Sequence, residues 1–231
     1  MICAVTHPRR GNFTTTVAVN LAASFAVREK RTLLIDVAGG DAGVLAGIPR
    51  NALGITDTIR ERGEHCESHI QSTPLPFMDV LPFGTEGFGY GLFWEEYPWT
   101  LGKLEYYDII VLDTDIRRFP PIMAKYWSHV LFPVATSPYI QEDMRAIESL
   151  CGMLDSRASI EYGVLGVGSE IPMPVSGAMA LQTVIPVDAS WRALSRPAVL
   201  HDLLSPLARC YFALAQELLK LSINKAGAVY A

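Results

Sequence analysis

Long apolar runs are missing from this chain of 231 residues. No stretch approaches the roughly 18 uninterrupted apolar residues that a bilayer-spanning helix needs. The segment from Met1 to Arg10 lacks a charged start followed by a long apolar core, so no signal peptide is expected and a cytoplasmic location is. Positive charge is also scarce. Nineteen Lys and Arg against 24 Asp and Glu leave a net charge of −5, which gives no broad electrostatic footprint for nucleic acid and leaves room only for a small basic patch. Cysteines are few and scattered (Cys3, Cys66, Cys151, Cys210), with no Cys-x-x-Cys pair. They read as buried reduced thiols, and their spacing argues against an iron–sulfur site. His65, Cys66 and His69 give only a weak metal-like spacing.

What is present is a half-apolar, sparsely charged composition, long enough for one large globular domain and short for two. Strand-like and helix-like segments alternate, the pattern of a mostly parallel sheet covered on both faces. Strands are expected at Met1 to Thr6, Arg31 to Val37, Met78 to Leu81, Asp108 to Asp113, Val130 to Ala135, Tyr162 to Gly168 and Thr183 to Pro186. Helices are expected at Thr14 to Arg28, Asp57 to Arg62, Asp143 to Leu154 and Leu203 to Leu221. The stretch from Thr85 to Lys103 is rich in glycine and aromatics. It reads either as a locally packed excursion or as an exposed aromatic patch for a partner.

The sharpest local signal is a strand, a loop and a threonine-rich helix start, AVTHPRRGNFTTTVAVNLAASFA, followed by RTLLIDV, a strand that ends in Asp36. Backbone N–H groups at a helix N-terminus suit phosphate oxygens, and a threonine hydroxyl with strand-end acids suits Mg²⁺. Helix and strand capping would account for each piece separately, but not for their order.

This region resembles the deviant Walker A stretch of the ParA/MinD/Soj family of P-loop proteins, K-G-G-V-G-K-T-T followed by a run like A-V-N-L-A-A. TTVAVNLAASFA, LLIDV, YDIIVLDT and the carboxyl-terminal IPVDASWRALSRPAVLHDLLSPLARCYFALAQEL match that family in order and spacing, so the resemblance spans nearly the whole chain. It implies a doubly wound α/β P-loop fold and a site for ATP or ADP with Mg²⁺. The family's signature lysine falls on Arg9, its glycine pair on Arg10 and Gly11, its variable position on Asn12, its next glycine on Phe13 and its Walker lysine on Thr14. The hydroxyl positions are Thr15 and Thr16. The implied metal ligands are Thr15, Asp36 and Asp113, and the implied adenine wall contains Pro186 and Asp188.

Three departures matter. The loop has no lysine, so Arg9 is the candidate source of phosphate charge. Phe13 stands where the family has a glycine, which puts a Cβ and a ring where backbone approaches phosphate. Ala38 replaces the acid that supports hydrolysis in the family, with Asp41 nearby as a conceivable substitute. These changes imply at most a weak ATPase.

Arginine and threonine in those loop positions, with LPFG at Leu81 to Gly84 and the GVLAGIP run from Gly43, resemble the BcsQ-type group of cellulose-secretion accessory proteins. That resemblance implies a homodimeric regulator or scaffold that contacts other cytosolic subunits of a secretion complex. Two other readings stay open. One is a ParA-like positioning or partition protein. The other is a ligand-free interaction module, with Arg117 and Arg118 as candidate partner contacts or simply part of a solvated loop.

Overall fold

The computed structural model describes residues 1–39, 41–85, 104–116, 124, 126–154, 160–168, 176–187 and 198–228, with backbone alone at 201 and 223–228. The aromatic stretch between 86 and 103, Arg117, Arg118 and Asp188 lie outside the described residues.

Short apolar runs rich in Val, Ile and Leu build the strands β1 (Ile2–Val5), β2 (Thr32–Asp36), β3 (Gln71–Ser72), β4 (Met78–Leu81), β5 (Ile109–Asp113), β6 (His129–Ala135), β7 (Glu161–Val167) and β8 (Met179–Ile185). They form one sheet in the order β3-β4-β2-β5-β1-β6-β7-β8. Every pair is parallel except β3 with β4. Strands buried on both faces need no polar alternation, which is why β1, β2 and β5 read as nearly continuous apolar runs.

The helices are α1 (Thr14–Val27), α2 (Asp41–Leu45), α3 (Ile55–Arg60), α4 (Cys66–His69), α5 (Ile140–Leu154), α6 (Ala198–His201) and α7 (Pro206–Ala228). One core layer joins α1 and α7 to one face of the sheet, around Leu21, Phe25, Leu34, Val111 and Tyr211. The other joins α3 and α5 to the opposite face, around Leu33, Ile35, Ile59, Phe132 and Ile147. The α1 helix is buried continuously from Val17 to Ala26, because its alanines allow close packing on several sides.

Several boundaries move for local reasons. The last helix begins at Pro206 rather than Leu203, with Ser205 Oγ accepting from the Ala208 N–H (3.1 Å), a serine cap followed by proline. The α5 helix starts at Ile140, where Ser137 Oγ accepts from the Tyr139 N–H (3.2 Å). The final strand begins at Met179, four residues before the expected Thr183. Its pairing with β7 slips between Val164 and Gly166. There Glu217 of α7 accepts from the Gln182 and Thr183 N–H groups (2.7 and 3.1 Å), so the irregular stretch lacks the alternation by which strands are recognised.

Cys3, Cys66 and Cys151 are buried, Cys210 is partly so, and all four are free thiols. No group of three or more His, Cys, Asp or Glu side chains suits a metal among the described residues. His69 instead pairs its Nδ1 with the Thr58 hydroxyl at 2.9 Å. No helix among the described residues is long and apolar enough to cross a membrane.

Candidate functional site

The central strands end at one edge of the sheet, where parallel α/β folds collect their ligands. From β1 the chain passes through His7, Pro8, Arg9, Arg10, Gly11, Asn12 and Phe13 before turning into α1. Two residues give this loop its curl. Gly11 has φ +87°, a region that glycine enters freely. Phe13 has φ 60° and ψ 22°, the left-handed conformation a glycine would adopt, at a cost of about 1–2 kcal/mol for a residue with a Cβ. The loop therefore keeps a glycine-like path despite its sequence. The Phe13 ring packs against the core beside α1 and is not in the wall of the cavity that the loop encloses. A blocking role for this ring is thus corrected: the side chain turns inward, where burial offsets its backbone strain.

Asn12 and His7 brace the loop from behind. The buried Asn12 amide donates to His7 Nδ1 (2.9 Å), and its Oδ1 accepts from the Ala135 N–H at the end of β6 (3.1 Å). His7 Nδ1 also lies 3.0 Å from the Arg9 N–H and 2.9 Å from the Arg9 carbonyl oxygen, so one ring nitrogen is the hub of the loop. Past the loop, α1 has no side-chain cap, and the first backbone bond of the helix runs from the Val17 N–H to the Phe13 carbonyl (2.9 Å). The first-turn N–H groups of a helix have no intrahelical acceptors and carry partial positive charge.

These elements enclose a cavity of about 440 Å³. Its wall contains His7, Arg9, Arg10, Gly11, Thr14 and Thr15 from the loop and α1. The opposite side is formed by Ala38, Gly39 and Asp41 after β2, with Asp113, Thr114 and Asp115 at the end of β5. Of the expected site residues, the structure brings Arg9, Arg10, Gly11, Thr14, Thr15 and Asp113 to this wall. Asn12, Phe13 and Thr16 lie behind it. Pro186 sits exposed at the end of β8 and does not line the cavity.

Asp36 has a different task from the one expected. Its Oδ1 accepts from the N–H groups of Ala38 and Gly39 (both 3.2 Å), and its Oδ2 from those of Ala42 and Gly43 (2.9 and 3.2 Å). The fully buried carboxylate organises the turn after β2 and the start of α2, and is absent from the cavity wall. The structure thus gives Asp36 four backbone N–H partners and does not bring it to the cavity wall beside Asp113, where the resemblance had placed a metal ligand.

Asp113 is the complement. It is fully buried, yet neither carboxylate oxygen has a hydrogen bond of standard geometry. Burial first, and then the nearby Asp36 charge, push its carboxyl well above the ordinary carboxylate range. The adjacent Thr15 side chain opposes that push without satisfying the carboxylate. A carboxylate aimed into a polar cavity without a partner matches the donor chemistry of a divalent cation, and a threonine hydroxyl beside it adds a second hard oxygen.

The two arginines have separate surroundings. Arg9 leans onto the start of α5: its Nη2 meets Glu142 Oε2 at 2.9 Å, its Nε meets Asp143 Oδ1 at 3.1 Å, and its guanidinium lies 5.1 Å from the Tyr139 ring centre. Asp143 is nearly buried, with 3% of its side chain exposed, so Arg9 is its compensating charge. Loss of such a partner costs about 3–5 kcal/mol in a closed site, and less here because 41% of the Arg9 side chain meets solvent. Arg10 is exposed. Asp41, the residue nearest to replacing the acid missing at Ala38, lines the cavity but is largely exposed and pairs with Arg50 at 3.1 Å. The Arg9 and Asp41 pairings were invisible to spacing rules. The prominence of Asp115, two residues past Asp113, was also missed, although an Asp-Thr-Asp run at a strand end is a legible signal.

The same fold recurs among solved structures. A chain of the MinC:MinD cell division protein complex of Aquifex aeolicus is 18% identical, with a TM-score of 0.75 and 95% of each chain covered. MinD complexed with Mg-ADP from Pyrococcus horikoshii OT3 is 19% identical, with a TM-score of 0.72 and 96% of each chain covered. In sequence the chain is similar to the chromosome partitioning protein ParA of Myxococcus xanthus strain DK1622, 24% identical over 264 aligned positions that cover 97% of this chain and 89% of that protein. No known family profile matches the chain. The architecture is therefore that of the MinD/ParA-like P-loop proteins.

Proposed function

We propose that this chain binds ATP or ADP with Mg²⁺ in the cavity between α1, α2 and β5, hydrolyses it slowly if at all, and works as a nucleotide-responsive scaffold. The observation that carries the reading is Asp113, a buried carboxylate without a hydrogen-bond partner, facing a polar cavity of about 440 Å³ beside Thr15 and an uncapped helix N-terminus. The Mg-ADP bound by the Pyrococcus MinD supports the choice of ligand.

Thr15 and Asp113 would hold Mg²⁺, whose charge would neutralise phosphate oxygens. The α1 N–H groups and the Gly11 turn would cradle the phosphates, and His7 and Asn12 would keep the loop in its curled path. Slow turnover follows from what this site lacks. Ala38 stands where relatives of the resembled family carry an acid, and no lysine lies in the loop. The exposed Asp41 is turned to Arg50, a poor arrangement for positioning an attacking water.

Within this reading the chain acts as a homodimer, and its setting is the cytosolic side of a bacterial cellulose synthesis and secretion complex. The short loop and LPFG resemblances support that narrower part. A ParA-like partition role is the second reading, favoured by the likeness to the Myxococcus protein. Three assays on purified protein test the proposal. It expects dimer formation with Mg-ATP in light scattering and turnover near the assay background. Brisk turnover would overturn the slow-hydrolysis reading. Nucleotide-dependent DNA binding that weakens steeply with salt would favour partition instead.

A further inference from the structure

The loop contains two neighbouring cations, and the fold treats them differently. Arg9 is committed to α5 through Glu142, the nearly buried Asp143 and the Tyr139 ring. Withdrawing it would leave Asp143 buried without its counter-charge. Arg10 lines the same cavity, is exposed, and has no ion pair or hydrogen bond to its side chain among the described residues. The remaining charged members of the wall are the acids Asp41, Asp113 and Asp115. A polyphosphate entering this cavity meets net negative charge unless a mobile cation turns toward it.

We infer that Arg10, and not Arg9, is the phosphate-binding cation of this chain, while Arg9 is a positioning residue that fastens the loop to α5. The inference rests on the nucleotide-binding reading given above. Arg10 sits directly before Gly11, whose positive φ turns the chain toward α1, so its long side chain starts at the cavity rim. A guanidinium offers several donors in one plane and remains charged at any physiological pH, which suits two oxygens of one phosphate group. The Arg9 pairing makes this division possible. It holds the loop in register with α5 and leaves Arg10 uncommitted.

The test is calorimetric binding of Mg-AMPPNP and of AMP to wild-type protein, Arg10→Gln, Arg10→Lys and the double variant Arg9→Gln with Asp143→Asn. Removing Asp143 along with Arg9 avoids an uncompensated buried carboxylate, and thermal unfolding verifies that each variant is folded. The expected result is at least a tenfold loss of Mg-AMPPNP affinity in Arg10→Gln, with AMP affinity little changed and partial recovery in Arg10→Lys. Raising salt should weaken Mg-AMPPNP binding less in Arg10→Gln than in wild type, and the double variant, which loosens the loop but keeps Arg10, should lose less Mg-AMPPNP affinity than Arg10→Gln does and keep the wild-type salt dependence. Wild-type affinity in Arg10→Gln, or a tenfold loss confined to the folded double variant, would overturn the assignment of Arg10 while leaving nucleotide binding intact. A wild-type protein that binds no Mg-AMPPNP would overturn both.

Discussion

Asp113 shows how one side chain can be costly to the fold and useful to a site. Its oxygens are buried without hydrogen bonds, and Asp36 lies on the paired neighbouring strand, opposite it in register. An unsatisfied buried polar group costs about 1–3 kcal/mol, more when charged. Asp113→Asn removes the charge and nearly preserves the shape. The metal-free variant should therefore unfold at higher temperature than wild type at neutral pH, by the equivalent of about 1 kcal/mol or more. Mg²⁺ with nucleotide should raise the melting temperature of wild type and leave that of the variant almost unchanged. A destabilised variant, or one that keeps the full Mg²⁺ response, would mean that Asp113 serves the fold rather than the cation. Phe13 makes the opposite point at the same scale. Its left-handed backbone and inward ring show that losing a loop glycine need not close the loop, provided the replacement side chain finds a buried surface.

Among the elements, α3 is joined to the end of β4 by the Ile55 and Thr56 N–H groups, which donate to the Pro82 and Phe83 carbonyls (2.8 and 2.9 Å), and by the Asp57 carboxylate. Asp57 Oδ2 accepts from the Gly54 and Thr85 N–H groups (both 2.9 Å), and its Oδ1 accepts from the Thr85 hydroxyl (2.5 Å). A Cβ on Gly54 would fall 2.0 Å from the Pro82 carbonyl oxygen, so this close approach requires glycine. Burial acts to raise the Asp57 carboxyl, but the Thr85 and Gly54 donors outweigh it, helped by Arg60, and hold it below the ordinary value of 3.8. A depressed folded-state value stabilises the protein above the unfolded value and is lost as pH falls through the folded one. Asp57→Asn should accordingly cost about 1–3 kcal/mol at pH 7 in a denaturant titration. The gap from wild type should shrink as pH falls below about 4, where Asp57 of the unfolded chain takes up a proton that the folded carboxylate still resists. A gap constant down to pH 2 would show that the carboxylate charge is irrelevant to the α3 anchor.

For the molecule as a whole, the alternation of apolar strands with helices made the parallel sheet legible, because strands buried on both faces carry that pattern locally. Met78 to Leu81 matched strand for strand, and most other boundaries moved by only a few residues. The two-residue β3 was not legible, since an antiparallel edge of Gln71 and Ser72 carries no periodicity. The candidate site was legible in its loop, its threonines and Asp113. The fate of Arg9 was not, because it depends on Glu142 and Asp143, far along the chain and brought close only by the fold. Asp36 was equally opaque: a strand-end acid looks the same in sequence whether it faces a cation or four backbone N–H groups.

The central claim is that a cavity walled by three acids and two arginines, one of them already committed to α5, accepts a nucleotide only together with a divalent cation. Calorimetric titration of the full chain with ATP, in Mg²⁺ and then in excess chelator, tests it most directly. The account predicts micromolar binding with Mg²⁺ and a loss of at least tenfold, about 1.4 kcal/mol, without it. Equal affinity in both conditions, or no binding in either, would contradict it.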